Sequence, residues 1–197
     1  MAVFVAVTGT HSTGKSTFLD LLEGLLQAEG ITVGRVADKA SDCRDAGFPI
    51  LRDHTFESTL WIMSSVIRSE LEASLAAAVV LVDRPVSDAL AYLEAALLST
   101  GRVIAEHERN YLYSLARLHS LRYPLFYRTV LDPTVPLGEG RDPDLGFRAL
   151  VDNKLAHVLR EVGVDAESLP DAAEVARRVR SLVTELDVDR RRPRVGF

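Results

Sequence analysis

The run Gly9-Thr-His-Ser-Thr-Gly14-Lys15-Ser16 satisfies the pattern G-x-x-x-x-G-K-[ST], and its flanks are the ones that pattern requires. Before it, Ala2-Val-Phe-Val-Ala-Val-Thr8 is a continuous apolar run of strand length without alternation, as in a strand buried on both faces. After it, Phe18, Leu21, Leu22, Leu25 and Leu26 fall at helical spacing up to Gly30, which suits a helix C-cap. In a strand–loop–helix unit of this kind the glycines let backbone N–H groups converge on phosphate oxygens, and the helix N-terminus adds partial positive charge. Lys15 is expected to reach the β and γ phosphates of a nucleotide, and Ser16 to place its hydroxyl on Mg²⁺. Thr17 is expected to support the cradle from the first helical turn, with Gly9, His11, Ser12, Thr13 and Gly14 forming the loop around the phosphates. The bland alternative is a glycine-rich turn that only caps a helix.

Composition limits what can surround such a loop. A chain of 197 residues suits one domain, and 47% hydrophobic with 26% charged residues describes a packed soluble core rather than a disordered or collagen-like chain. The net charge of -5 and pI of about 5.6 give no global positive field to draw in a nucleic-acid polymer or an anionic membrane, so anions must be bound locally. Cys43 is the single cysteine, which excludes an internal disulfide framework and a thiolate-rich zinc site and favours a reducing, cytoplasmic setting. The histidines, His11, His54, His107, His119 and His157, lack paired metal-ligand spacing and read as surface or packing residues. Apolar runs such as Ala76 to Val82 are too short to span a bilayer, and the N-terminus has no basic leader. Lysine occurs only at Lys15, Lys39 and Lys154, which sets the loop lysine apart.

Along the chain, strand and helix patterns alternate. Ile31 to Ala37 reads as a second strand, a polar irregular stretch follows, and Phe56, Leu60, Met63, Ile67 and Leu71 mark one face of a long helix. Val79 to Asp83 reads as a short buried strand, followed by a helix carrying Leu90, Leu93 and Leu97 and ending at Gly101. Another helix is expected from about Ile104 to Leu121, a strand over Leu125 to Leu131, and a mobile Pro/Gly-rich loop from Asp132 to Gly146. Helical periodicity returns at Leu150, with a short strand near Val164 to Leu169 and a helix over about Asp171 to Leu186. The pattern predicts a three-layer α/β domain over residues 1–187 around a mainly parallel sheet, with ligands beyond the carboxyl ends of the strands. The tail from 188 to 197, rich in arginine, reads as a flexible solvated terminus.

The second cluster of chemical interest is Asp83-Arg84-Pro85, at the carboxyl end of a predicted strand. There Asp83 can orient Mg²⁺ or take a proton from an attacking hydroxyl, while Arg84 can hold an anionic substrate or developing phosphoryl charge. The plainer reading is a helix-capping Asp beside an Arg in a surface ion pair.

Together with the loop, Asp83-Arg84-Pro85 leading into Asp88-Ala-Leu-Ala-Tyr92, then Arg141 and Arg148, resembles the small P-loop kinases of the nucleoside and nucleotide kinase group. The resemblance is closest to the ATPase-like family containing the nicotinamide-riboside kinase domain, and it covers roughly residues 3–187. It implies a five-stranded parallel sheet, an ATP or GTP phosphate site, and a mobile lid over about 132–148 contributing Arg141 and Arg148. Such kinases often place an acidic residue after the second strand against the acceptor hydroxyl. Asp38 occupies that region here, where family members commonly carry Glu, and as a lone loop Asp it reads equally as a turn residue. Trp61 and Arg68, on the helix with Glu57 and Glu72, offer a stacking face and a fork for a phosphate or carboxylate, and Tyr92 is a further candidate for the acceptor pocket; Trp61 also reads as core and Tyr92 also as packing beneath the crevice.

Other nucleotide-binding classes fit less well. A signalling GTPase needs Asn-Lys-x-Asp, but Asn153-Lys154-Leu155-Ala156 lacks the aspartate and no Asp-x-x-Gly occurs. Transporter and mechanical ATPases need a further signature or additional subdomains. The expected activity is transfer of the γ-phosphoryl group of MgATP, or GTP, to a hydroxyl or phosphate of a small nucleoside-like or nucleotide-like acceptor. In that mechanism Lys15 holds the donor, Asp83 or Asp38 orients or deprotonates the acceptor, Arg84 binds it, and Arg141 and Arg148 close over the phosphates. The alternative from another class is a nucleotide-dependent binding or regulatory protein with no small acceptor. The oligomeric state stays open between monomer and homodimer.

Overall fold

A computed structural model describes residues 2–10, 13–129, 131 and 144–191. The strands are β1 (Val3–Thr8), β2 (Val33–Val36), β3 (Val79–Asp83), β4 (Leu125–Arg128) and β5 (Glu167–Ser168). The helices are α1 (Lys15–Ala28), α2 (Ala40–Asp45), α3 (Phe56–Ala73), α4 (Val86–Thr100), α5 (Glu106–Ser120), α6 (Leu145–Val162) and α7 (Ala172–Arg191), with a 3₁₀ turn at Leu51–Asp53. All pairings are parallel, in the order β2-β3-β1-β4-β5.

The period-2 geometry of a strand explains the two cores. Phe4, Ala6, Val80, Val82 and Phe126 point to one face and pack with residues of α3, α4, α5 and α6. Val3, Val5, Val7, Val79, Leu81, Leu125 and Tyr127 point to the other, against Leu19, Leu22 and Leu26 of α1 and Val175, Ala176 and Val179 of α7. This is the three-layer α/β architecture the alternating pattern predicts, and the sheet has the five parallel strands the resemblance implies. Among the described residues no helix is long and apolar enough to cross a membrane.

Several local expectations are revised. The stretch expected to be irregular holds α2 and the 3₁₀ turn; its periodicity is invisible because Cys43 is the buried residue of α2. Asp38 starts that helix, its Oδ1 accepting the Ala40 N–H at 2.9 Å. Helix α6 begins inside the expected loop and lid spans, because Asp144 caps it by accepting from the Phe147 N–H at 2.9 Å, so residues 145–148 are helical. Helix α7 runs to Arg191, so the first residues of the expected tail are helical as well. The rest of the lid span, 132–143, and the end of the tail, 192–197, lie outside the described residues.

Candidate functional site

The sheet order puts β1 between β3 and β4, so their carboxyl ends converge where the glycine-rich loop departs. Register pairs Val7 with Asp83 and Thr8 with Arg128. Gly9 follows with φ of +140°, a conformation that disfavours a side chain, and a Cβ built there would lie 2.1 Å from Thr129 Oγ1. Thr129 thus supports the loop from the end of β4: its hydroxyl donates to the Thr8 carbonyl at 3.2 Å and pairs with the Thr13 hydroxyl at 2.6 Å. Gly14, at φ of +80°, turns the chain into α1, whose first turn carries no acidic residue to compete with an anion.

Lys15 is buried, and its Nζ donates to the Thr10 carbonyl at 2.5 Å and to the Thr13 hydroxyl at 3.3 Å. Burial, reinforced by Arg84, lowers its ammonium from 10.5 to about 7, against the pull of Asp88, Asp83 and Asp38. Ser16 Oγ donates to Asp83 Oδ2 at 2.9 Å, which joins the loop to the end of β3. Thr17 is exposed on the first turn of α1. His11 and Ser12 lie outside the described residues.

Arg84 turns the chain out of β3 with φ of +66°, uncommon for a residue with a side chain and a form of strain concentrated at functional sites. Its Nε donates to Asp38 Oδ2 at 2.9 Å and its Nη1 to the Tyr92 hydroxyl at 3.1 Å, with the guanidinium 5.3 Å from the Tyr92 ring centre. Burial works against that charge, but Tyr92, Asp38 and Asp88 outweigh it and hold the group above its ordinary range. Asp88, on the first turn of α4, accepts from the Thr8 hydroxyl and, at 3.4 Å, from the Gly9 N–H. Its carboxylate lies 4.0 Å from Arg84 Nη1, and burial raises it from 3.8 to about 6, opposed by Arg84, Thr8, Lys15 and Gly9.

Beside these groups lies a cavity of about 120 Å³ whose lining includes Asp38, His54, Ile62, Arg84, Asp88 and Tyr92. The structure therefore gathers Lys15, Ser16, Asp83, Arg84, Asp38 and Tyr92 in one place. It does not gather the other expected acceptor residues. Trp61 packs against Phe48 with ring centres 6.1 Å apart, and Arg68 is exposed and paired with Glu72 at 2.8 Å; neither lines the cavity. Arg148 is buried in the first turn of α6, and Arg141 lies outside the described residues. The site residues that sequence reasoning missed are Asp88, His54 and Thr129. Asp88 had a signal: it stands one helical turn before Tyr92, at i and i+4 of one helix face. Thr129 and His54 had none, because they reach the site through tertiary packing.

No curated protein matches the chain in sequence. Among solved structures, two of NadR protein, one in complex with NR and one with NAD and AMP-PNP, share 14% identity with TM-scores of 0.64 and 0.62. Both cover 100% of this chain, which spans 54% and 52% of theirs, about half of their length. The deoxyadenosine kinase from M. mycoides with bound dATP gives 12% identity and a TM-score of 0.60, covering 94% of this chain and 99% of the other. At these identities the likeness is one of fold, and the fold is that of the small P-loop kinases the motifs resemble. The model of the AAA domain family matches residues 4–178, nearly the whole sheet and its helices, including the loop and the Asp83–Tyr92 segment. This chain belongs to that P-loop family.

Proposed function

We propose that the protein transfers the γ-phosphoryl group of ATP to a hydroxyl of a nucleoside-like acceptor seated in the cavity. The observation that carries this reading is the adjacency of two sets of groups: Lys15 and Ser16 at the phosphate loop with Asp83 at the end of β3, and Asp38 with Arg84 in the cavity wall. The loop, by its strand–glycine–helix geometry, suits the nucleotide phosphates, and the cavity, with Ile62 and Tyr92 beside Asp38, suits a small acceptor with an apolar ring and a hydroxyl end. The neighbours solved with NR, with NAD and AMP-PNP, and with dATP support a nucleoside-class ligand on this fold.

The donor set at Ser16 and Asp83, one hydroxyl and one carboxylate, fits Mg²⁺ carried in with a nucleotide, and among the described residues no group of three or more His, Cys, Asp or Glu side chains suggests a resident metal. Bound there, Mg²⁺ supplies charge neutralisation at the phosphates. Asp83 is engaged on that side by Ser16, and Asp88, which also lines the cavity, is held by the Thr8 hydroxyl and the Gly9 N–H, which leaves Asp38 as the cavity carboxylate assigned to the acceptor. Asp38 holds Arg84 through Oδ2 and the α2 N-terminus through Oδ1, so it is oriented from both oxygens. In the reaction the acceptor hydroxyl oxygen attacks the γ-phosphorus as Asp38 takes its proton, the bond from that phosphorus to the β,γ-bridging oxygen breaks to release ADP, and Lys15 and Arg84 face the developing charge.

The test is ADP release from MgATP across ribonucleosides, deoxyribonucleosides, nucleotides and nicotinamide riboside, with mass detection of the product. The expected result is an acceptor-dependent product heavier by one phosphoryl group, abolished by Lys15→Ala and reduced at least a hundredfold by Asp38→Asn. Tight nucleotide binding with no phosphorylated product from any acceptor refutes the kinase reading in favour of a nucleotide-dependent regulator. Normal transfer by Lys15→Ala refutes the assigned site.

A further inference from the structure

His54 is nearly sealed, at 2% exposure, yet lines the cavity, with its ring 5.8 Å from that of Tyr92. Its protonation and tautomer follow from counting partners. Burial, helped by Arg102 and opposed by Asp38, lowers the imidazole from 6.5 to about 4, so the ring is neutral at physiological pH and carries one proton. Nδ1 lies 3.1 Å from Ser58 Oγ. Ser58 Oγ already accepts from the Thr55 N–H at 2.9 Å in the capping box of α3, and its single proton has two possible destinations, Nδ1 and the Thr55 carbonyl at 3.2 Å. That carbonyl is already served by the Thr59 N–H at 3.1 Å and the Thr59 hydroxyl at 2.8 Å, which fill its two lone pairs. With that carbonyl served by two other donors, the Ser58 proton is the one offered to Nδ1, an arrangement that puts the imidazole proton on Nε2. No described residue pairs with Nε2, and His54 lines the cavity. His54 stands in this wall beside Tyr92, Ile62 and Leu51.

We propose that His54 is the specificity-determining residue of the acceptor cavity, donating its Nε2–H to a ring nitrogen or carbonyl oxygen of the acceptor's heteroaromatic base. This rests on the reading of the cavity as an acceptor site. A neutral hydrogen bond inside a closed cavity discriminates by about tenfold against a ring lacking the accepting atom, because the N–H is then left buried without a partner. The positioning of Nδ1 by Ser58 makes the selectivity a property of the folded α3 N-terminus rather than of a mobile side chain.

Two measurements test it. Long-range ¹⁵N–¹H correlation spectra of the labelled protein read the tautomer directly; the expected pattern is a neutral His54 protonated on Nε2 at pH 7, and protonation on Nδ1 overturns the proposal. Calorimetric affinities and, where product forms, kcat/KM are then measured for adenosine, cytidine, uridine, guanosine and nicotinamide riboside, and for analogues of the preferred one in which single base nitrogens or carbonyl oxygens are replaced by CH or CH₂. Wild type is expected to lose about tenfold on one such replacement, chiefly in KM, while His54→Phe loses tenfold on the parent and no longer tells the two apart. His54→Gln, which restores an N–H donor, recovers part of the preference. Equal discrimination by wild type and His54→Phe overturns the role of His54 while leaving phosphoryl transfer standing; His54-dependent binding without product upholds His54 and refutes the kinase reading. Absence of binding by every base overturns both.

Discussion

Asp88 and His54 line one cavity and titrate over nearly the same range with opposite consequences for stability. Burial raises Asp88 from 3.8 to about 6, so between those values the folded chain keeps a proton the unfolded chain has released, and the stability contributed by this group falls as pH rises. Burial lowers His54 from 6.5 to about 4, so there the unfolded chain holds the extra proton and stability rises with pH. At about 1.4 kcal/mol per pH unit, each displacement is worth roughly 3 kcal/mol. Neither side chain is exposed enough for solvent to screen it. In wild type the two slopes largely cancel between about pH 4 and 6.5. Removing one partner uncovers the other: relative to wild type, Asp88→Asn should gain up to roughly 3 kcal/mol between pH 4 and 7, and His54→Gln should lose a similar amount. Urea unfolding at half-unit pH steps, reported as differences from wild type so that other carboxylates cancel, measures this. Differences that are flat in pH, or that share one sign, refute the assigned protonation states.

Gly9→Ala places a Cβ against Thr129 at a backbone angle that disfavours any side chain, and should cost about 2–4 kcal/mol in urea unfolding, partly recovered by adding Thr129→Ala. Asp83→Asn keeps an acceptor for the Ser16 hydroxyl but removes the charge; the Mg²⁺ concentration needed for nucleotide binding should rise about tenfold or more, with metal-free nucleotide affinity little changed. Tyr92→Phe removes the hydrogen bond to Arg84 and keeps the ring beneath its guanidinium, so a loss of about 1–2 kcal/mol is expected in denaturation.

The elements legible in the sequence were those whose burial follows a simple period. The continuous apolar runs of β1 and β3 and the i, i+3, i+4 faces of α1 and α3 carry the pattern of their surroundings in their own residues. Helix α2 and the 3₁₀ turn are too short and too polar to do so, and the start of α6 is set by one capping carboxylate rather than by a face. The donor half of the candidate site was readable because a phosphate loop is built from consecutive residues. The acceptor half was readable only in part: Asp38, Arg84 and Tyr92 were candidates and line the cavity, whereas His54 reaches it through packing alone, and only packing decides that Trp61 and Arg68 face elsewhere.

The charges at the sheet edge form two sets, each with its own partners. Lys15 and the Ser16–Asp83 pair belong to the phosphate loop, and Lys15 at rest donates to that loop's own carbonyl and hydroxyl. Arg84 belongs to the cavity, tied to Asp38 and Tyr92. Asp88 touches both: one oxygen takes the Thr8 hydroxyl, the other faces the Gly9 N–H and lies 4.0 Å from Arg84. A phosphate entering the loop must replace the contacts of Lys15 with its own oxygens, and in doing so restores the charged ammonium that burial disfavours. The phosphate brings at least as much negative charge as the ammonium gains, so Asp88 has no net reason to ionise further, and its ties to Gly9 and Arg84 stay set by the contacts already in place.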